Sequence, residues 1–266
     1  MDHGMSDSMD DATTARHGHP RAEKLHNAVR DTSFANSRPR DASTLILLRQ
    51  GLSGREVLMG RRHDRHKFMP GVFVFPGGRL DREDGLMPAC SEPDASLVAR
   101  TMADMKGKPT LRRARGLLMA ALRETFEETG IALGRPGDTA IGPAAKNDSW
   151  ADFASLGLRP DPSALVPIAR AITPPRRPKR FDTRFFALDG TASGLSLDPH
   201  RPASTELDSI QWLTFDAVPG MPVAPITATI LDELKEHLAG ENGLNPNRPM
   251  PYYRVVNRHF HRSLIA

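Results

Sequence analysis

The sequence predicts a single α/β domain over about residues 41–266, and three observations carry that prediction. Short apolar runs of strand length alternate with segments of helical period. Two of the helical segments, near 111–129 and 225–238, have an apolar stripe on one side only. Gly- and Pro-containing breaks separate the runs. With 266 residues the chain can bury a sizeable core, and its 39% hydrophobic and 26% charged residues are those of an ordinary globular protein.

Each element has its own warrant. Residues 1–40 are rich in Asp, Ser, His, Ala and Arg without a sustained period, which predicts a largely disordered N-terminal tail. The apolar run 43–48 predicts a buried strand, and 56–61 its hairpin partner across Gly51-Leu52-Ser53-Gly54. A third strand, 71–75, is stopped by Pro76-Gly77-Gly78, which reads as a turn. Residues 79–110 are irregular, with Asp94 placed to cap a short helix running to Met105. A longer helix follows from about Leu111 to Thr129, with Gly130 where a C-terminus favours a left-handed residue. Residues 134–163 read as loop. The run 164–171 predicts a strand whose Pro167 requires an edge or a bulge. Strands at 183–188 and 209–214 come next. Pro225 then opens an amphipathic helix that ends at Gly240, and the basic, aromatic tail from Pro251 predicts a last strand.

The chemistry-bearing stretch lies on the helix before Gly130. At about 100° per residue, Glu124, Glu127 and Glu128 share one arc, while Leu118, Leu122 and Phe126 fall on the opposite side. Carboxylates this close repel one another unless a cation sits among them. Oxygen-only ligands suit Mg2+ or Mn2+. A solvated acidic face is the competing reading.

Composition bounds the partners. The single cysteine, Cys90, excludes an internal disulfide, fits a reducing compartment and has no nearby His to make it a nucleophile. No apolar run approaches the ~20 residues of a membrane span. The polar N-terminus lacks a signal-peptide core, so a cytoplasmic location and no membrane partner are expected. A net charge of +4 and a pI near 9.5 favour anionic partners. Basic residues cluster at 61–67, 112–115, 176–184 and 248–262; the run 61–67 lacks the aromatic interleaving of a single-strand nucleic-acid platform, and nucleic acid is not an expected partner. A second copy of the chain is a candidate partner.

The run Arg123-Glu124-Thr125-Phe126-Glu127-Glu128-Thr129-Gly130-Ile131 matches R-E-U-x-E-E-x-G-U, with U an apolar residue, at every position but Thr125. This is the second half of the Nudix box, and Pro76-Gly77-Gly78 resembles the turn that opens it. The chain thus resembles the Nudix hydrolases. That resemblance implies an α/β/α sandwich with a mixed sheet, a divalent cation, and hydrolysis of a nucleoside diphosphate linked to another group. The spacing departs from the family pattern G-x5-E-x7-R-E. Gly78 and Arg123 are 45 positions apart where the pattern has 14, an insertion of 31 residues (45 − 14) within the box, at about 79–110. Asp84 falls where the family has its first Glu, either as a substitute or as a surface loop residue. A split box resembles the peroxisomal coenzyme A diphosphatases, although Leu264-Ile265-Ala266 is not a peroxisomal address. A second signature of coenzyme A-hydrolysing members, L-L-T-x-R-[SA]-x3-R-x3-G-x3-F-P-G-G, is matched by Arg62, Gly71 and Phe75-Pro76-Gly77-Gly78. Lys67 keeps the charge of the expected Arg, while Gly60 and His63 depart.

The resemblance implies roles. Glu127 and Glu128 are the first-choice metal ligands, joined by the carbonyl of Gly77 or Gly78, and Glu124 is a further ligand or the general base. Arg123 pairs with a box glutamate and orients it. A carboxylate from outside the box, Glu206 before Asp208, completes the catalytic set. Arg62 and Lys67 are candidate substrate contacts from the second signature. Arg176, Arg177, Lys179, Arg180 and Arg184, around a Pro-rich turn, could grip substrate phosphates. The favoured substrate is coenzyme A or an acyl derivative. ADP-ribose, nucleotide sugars, dinucleotides or oxidised nucleotides are the alternatives, and a catalytically inactive nucleotide-binding regulatory module is the alternative of another class.

Overall fold

The apolar run 43–48 lies at the centre of the layering. The computed structural model describes residues 19–28, 33–65, 70–240 and 243–266, and the run falls inside strand β1 (Arg40–Gly51). Leu45 and Leu47 pack into one cluster and Ile46 and Leu48 into another, all four fully buried, as befits a strand covered on both faces. β2 (Gly54–Arg62) returns antiparallel to β1, and β3 (Phe73–Val74) pairs with β2. β4 (Gly77–Arg79) pairs with the first half of β1. Helices α2 (Ala95–Met102) and α3 (Leu111–Thr129) follow. Next come β5 (Gly134–Pro136), α4 (Asp148–Ser155) and β6 (Leu158–Pro160), with β5 and β6 paired apart from the main sheet. β7 (Val166–Ile172), β8 (Phe181–Asp189), the one-turn α5 (Gly190–Ser193) and β9 (Leu207–Thr214) precede α6 (Pro225–Leu238). The hairpin β10 (Met250–Val256) and β11 (His259–Ile265) ends the chain.

The main sheet runs β11-β10-β7-β8-β1-β2-β3, with β4 also on β1 and β9 on β2. It is mixed, since β1/β8 and β7/β10 are parallel and the remaining pairs antiparallel. On one face Leu118, Leu122 and Phe126 of α3 pack on Leu45, Leu47 and Phe186. On the other, Ile230, Leu231 and Leu234 of α6 pack on Ile46, Leu48 and Phe185. The result is an α/β/α sandwich.

Several local expectations hold for the physical reasons given. α3 covers the expected span and Gly130 ends it in the left-handed region at φ 77°, while at its start the structure adds a cap, Thr110 accepting from the Arg113 N–H at 3.1 Å. Asp94 caps α2 through the Ser96 N–H. Pro167 sits at a bulge, where the β7/β8 register shifts before Ala169. Among the described residues no helix is long and apolar enough to cross a membrane.

Four expectations need correction. Pro76-Gly77-Gly78 is not only a turn, because its glycines continue as β4. They are required by close approach: a side chain at Gly77 would meet the Ser43 carbonyl, and one at Gly78 the Glu124 carboxylate. The presumed loop 134–163 contains α4, whose fully buried Trp150 and Phe153 are too few in eight residues to reveal a period among the surrounding Gly, Pro and Asp. The tail forms a hairpin rather than one strand, turning at Asn257 and Arg258 with φ of 48° and 70°. Within the segment read as disordered, α1 (Pro20–Asn27) is a helix. It buries Ala22 and Leu25, and Arg21 reaches Glu233 at 3.1 Å and also Glu236 on α6. So short a helix is held by docking rather than by propensity, and docking leaves little trace in composition.

Leu25→Ala should therefore lower the unfolding free energy by about 2 kcal/mol, as for a buried large-to-small change. Urea denaturation of both proteins measures this, and an unchanged midpoint would show that α1 does not dock.

Candidate active site

Arg123 organises the site. It is fully enclosed where α3 faces β4 and the inserted segment. Its Nε donates to Asp84 Oδ1 at 2.7 Å and its Nη2 to Asp84 Oδ2 at 3.1 Å, a bidentate pair. The same Nη2 donates to the Arg79 carbonyl at 2.8 Å. Nη1 serves two box glutamates, lying 2.6 Å from Glu127 Oε1 and 3.0 Å from Glu124 Oε1. Burial works against the guanidinium charge, but Asp84 and the two glutamates outweigh it and hold Arg123 above its ordinary value. Asp84 is itself fully buried, in the short 3-10 turn Glu83–Leu86. It also accepts from Trp150 Nε1 at 2.9 Å and from the Asp81 N–H at 2.7 Å. The surface reading of Asp84 is thereby excluded, and its carboxylate occupies the place of a partner to Arg123.

The glutamates face a cavity of about 1190 Å³. Its floor is a pair of parallel strands. Alternation puts Arg40, Ala42 and Thr44 of β1 beside Phe181, Thr183 and Phe185 of β8, all on the α6 face of the sheet. Glu124, Glu127 and Glu128 enter at one end, beside the glycines of β4. Glu128 Oε2 accepts from the Gly77 N–H at 2.9 Å. Burial, followed by the charge of Glu124, lifts the Glu128 carboxyl well above the ordinary carboxylate range. Burial also pushes Glu124 up to about 7, against the pull of Arg123 and with repulsion from Glu127 added. Arg62 and Glu206, at the adjoining ends of β2 and β9, line the same end, and both act electrostatically on Glu128.

The sequence-predicted residues thus divide. Glu124, Glu127, Glu128, Gly78, Arg62, Glu206 and Arg180 share the cavity, whereas Asp208 pairs with Arg61 at 2.6 Å. Lys67 lies outside the described residues. Arg184 does not grip the cavity. One residue out of phase with Thr183 and Phe185, its side chain passes to the other face of the sheet, fully buried against Asp41 at 3.3 Å and Asp182 at 3.2 Å. Arg176 is exposed on the turn at φ 60° and is not part of the cavity lining. Sequence reasoning missed Arg38, Arg40, Arg79 and Trp150. Only the strand phase of Arg40, 42 and 44 could have pointed to any of them. No three His, Cys, Asp or Glu side chains among the described residues converge tightly enough to hold an ion as they stand, and Arg123 Nη1 lies between Glu124 and Glu127.

Asp84→Asn should leave Arg123 a buried cation without its ionised partner and cost about 3 kcal/mol of unfolding free energy. Chemical denaturation tests this, and a loss below about 0.5 kcal/mol, the scale of an ordinary surface substitution, would show the pair to be dispensable.

With this geometry in place, likeness to known proteins can be stated. No family model matches the chain. Nudix hydrolase 7 of Caenorhabditis elegans is 28% identical over 158 residues, which is 56% of this chain, and the match spans only 44% of that curated relative's length. The crystal structure of a NUDIX hydrolase from Alicyclobacillus acidocaldarius is 31% identical, with 74% of this chain and 90% of that one covered at a TM-score of 0.52. Identity of this order over nine-tenths of a solved relative, together with the matching box on α3, shows that the chain belongs to the Nudix hydrolase family.

Proposed function

We propose that this cavity hydrolyses the pyrophosphate of a nucleoside diphosphate linked to a second group, with coenzyme A or an acyl derivative as the favoured substrate. The observation that carries the reading is the convergence in one cavity of the three box glutamates, Glu206 from outside the box, and Arg62 from the second signature. A pyrophosphate repels a hydroxide nucleophile, so the site needs positive charge at the phosphates and a carboxylate to take a proton. Arg62 supplies fixed charge beside Glu128. Glu206, which acts electrostatically on Glu128, takes the proton of an attacking water in this reading, with Glu124 as the alternative base. Arg123 touches no substrate and orients Glu127 and Glu124.

Glu124, Glu127 and Glu128, with the Gly78 carbonyl, would hold Mg2+ or Mn2+. The donor set fits such an ion. It is all oxygen, and burial and mutual repulsion make two of its carboxyls reluctant to ionise without a cation. When bound, the ion supplies charge neutralisation and a more acidic water. The open cavity beside intact glutamates also favours an enzyme over an inactive binding module.

Purified protein with Mg2+ or Mn2+ should be assayed against coenzyme A, ADP-ribose, NADH, diadenosine polyphosphates and nucleoside triphosphates. Coenzyme A should yield 3′,5′-ADP and 4′-phosphopantetheine. Cleavage of another member with coenzyme A left intact would reassign the substrate, and no cleavage at all would remove the hydrolase reading. Replacing Glu127 and Glu128 together by Gln should lower kcat/KM by roughly 100-fold or more, the scale seen when a charge-stabilising group is removed. Near-equal rates would take the box out of the chemistry.

A further inference from the structure

The cavity has a second end whose chemistry the box does not explain. The contact between Gly77 and Glu128 lies beside Thr44, and Arg40 is four residues back along the same strand, roughly 13 Å away at about 3.3 Å per residue. Between them Ala42, Thr183, Phe181 and Phe185 form an uncharged floor, with Arg79, the cross-strand partner of Ala42, at its edge. At the far end the lining carries Arg38, Arg40, Lys179 and Arg180. The two segments that bring them together are fastened by Arg180. Its Nη1 donates to Asn36 Oδ1 at 2.8 Å and to the Ser37 carbonyl, and its Nε to the Thr173 carbonyl at 3.1 Å. The Arg40 N–H donates in turn to the Arg180 carbonyl at 2.9 Å. Arg180 is thus a staple; Arg40 and Lys179 are the cations it presents, and Arg38, although it lines the same end, has its Nη2 against Gly107.

Those three cations have no carboxylate partner among the described residues. The nearest acids along the two strands, Asp41 and Asp182, are out of phase with the cavity floor. They leave through the opposite face, where Arg113, Arg170 and Arg184 pair with them. The cavity is therefore polarised, with the box carboxylates held beside Arg62 and Arg123 at one end and a cluster of exposed cations without described acid partners at the other. A single pyrophosphate uses only the first end.

We infer that the far end binds a second, phosphomonoester group on the ribose of the substrate, with Arg40 and Lys179 as its main contacts and Arg38 beside them. This inference rests on the reading above only in taking the cavity to be a nucleotide site, and it narrows the substrate class to nucleotides with a phosphorylated ribose. The separation of the two ends suits one nucleotide reached by an arginine side chain.

Binding tests it without turnover. The full chain should be titrated calorimetrically with AMP, adenosine 3′,5′-bisphosphate and adenosine 2′,5′-bisphosphate, the last two distinguishing the sources of the extra phosphate. One bisphosphate should bind at least about ten-fold more tightly than AMP, the scale of a charge-assisted contact. In the double variant Arg40→Ala, Lys179→Ala that preference should shrink to about two-fold or less, while Arg40→Lys, Lys179→Arg should retain it. Equal binding of all three nucleotides, no binding of any, or a preference that survives the alanine pair overturns the inference. A wild-type chain that shows the preference, loses it in the alanine pair, yet cleaves nothing in the substrate panel supports it and removes the hydrolase reading alone.

Discussion

The buried pair of Arg123 and Asp84 is the constraint on which the site depends. A guanidinium enclosed in protein is tolerable only if its donors are satisfied and its charge is matched. Here Asp84 takes two donors, the Arg79 carbonyl shares one of these, and the third nitrogen is left to the box glutamates. One side chain therefore links α3, the strand beside it, the inserted segment and the acidic end of the cavity. The insertion of 31 residues does not displace the site. It leaves β4 and, within its first few residues, returns Asp84 to the arginine, with Trp150 from α4 holding the carboxylate from behind.

The second constraint is the phase of the central strands. β1 and β8 run parallel in full register, so alternate side chains of both go to opposite faces together. One phase makes the cavity floor. The other carries Asp41, Asp182 and Arg184 into a buried charge network with Arg113 and Arg170 under α2 and α3. The basic cluster at 176–184 is thereby divided into a structural arginine, Arg184, a staple, Arg180, a cation in the cavity lining, Lys179, and an exposed Arg176 outside it. Glycine matters where the two faces meet. Without side chains at Gly77 and Gly78, the carboxylates of α3 come close enough to strand backbone for Glu128 to accept the Gly77 N–H.

These two constraints give the cavity its electrical character. Repelling carboxyls are gathered at one end beside Arg123 and Arg62, and cations without a carboxylate partner among the described residues stand at the other. On the reading proposed above, such a slot would take an elongated anion that brings charge to both ends, together with a cation among the carboxylates.

What the sequence determined by itself was whatever local periodicity and capping encode. The span of α3, its three glutamates on one arc, the left-handed Gly130, the bulge at Pro167 and the buried run of β1 all follow from spacing within a few turns or strand residues. What only tertiary structure decided depends on contacts between residues far apart in the chain. Asp84 could be surface or core until Arg123, 39 positions away, claimed it. Arg184 read as a phosphate contact because its strand phase relative to β1 is invisible in one dimension. Arg38 and Arg40 belong to a segment whose composition reads as disorder, and only its fastening by Arg180 brings them to the cavity. Burial and charge pairing are properties of neighbours in space, and the sequence names neighbours only along the chain.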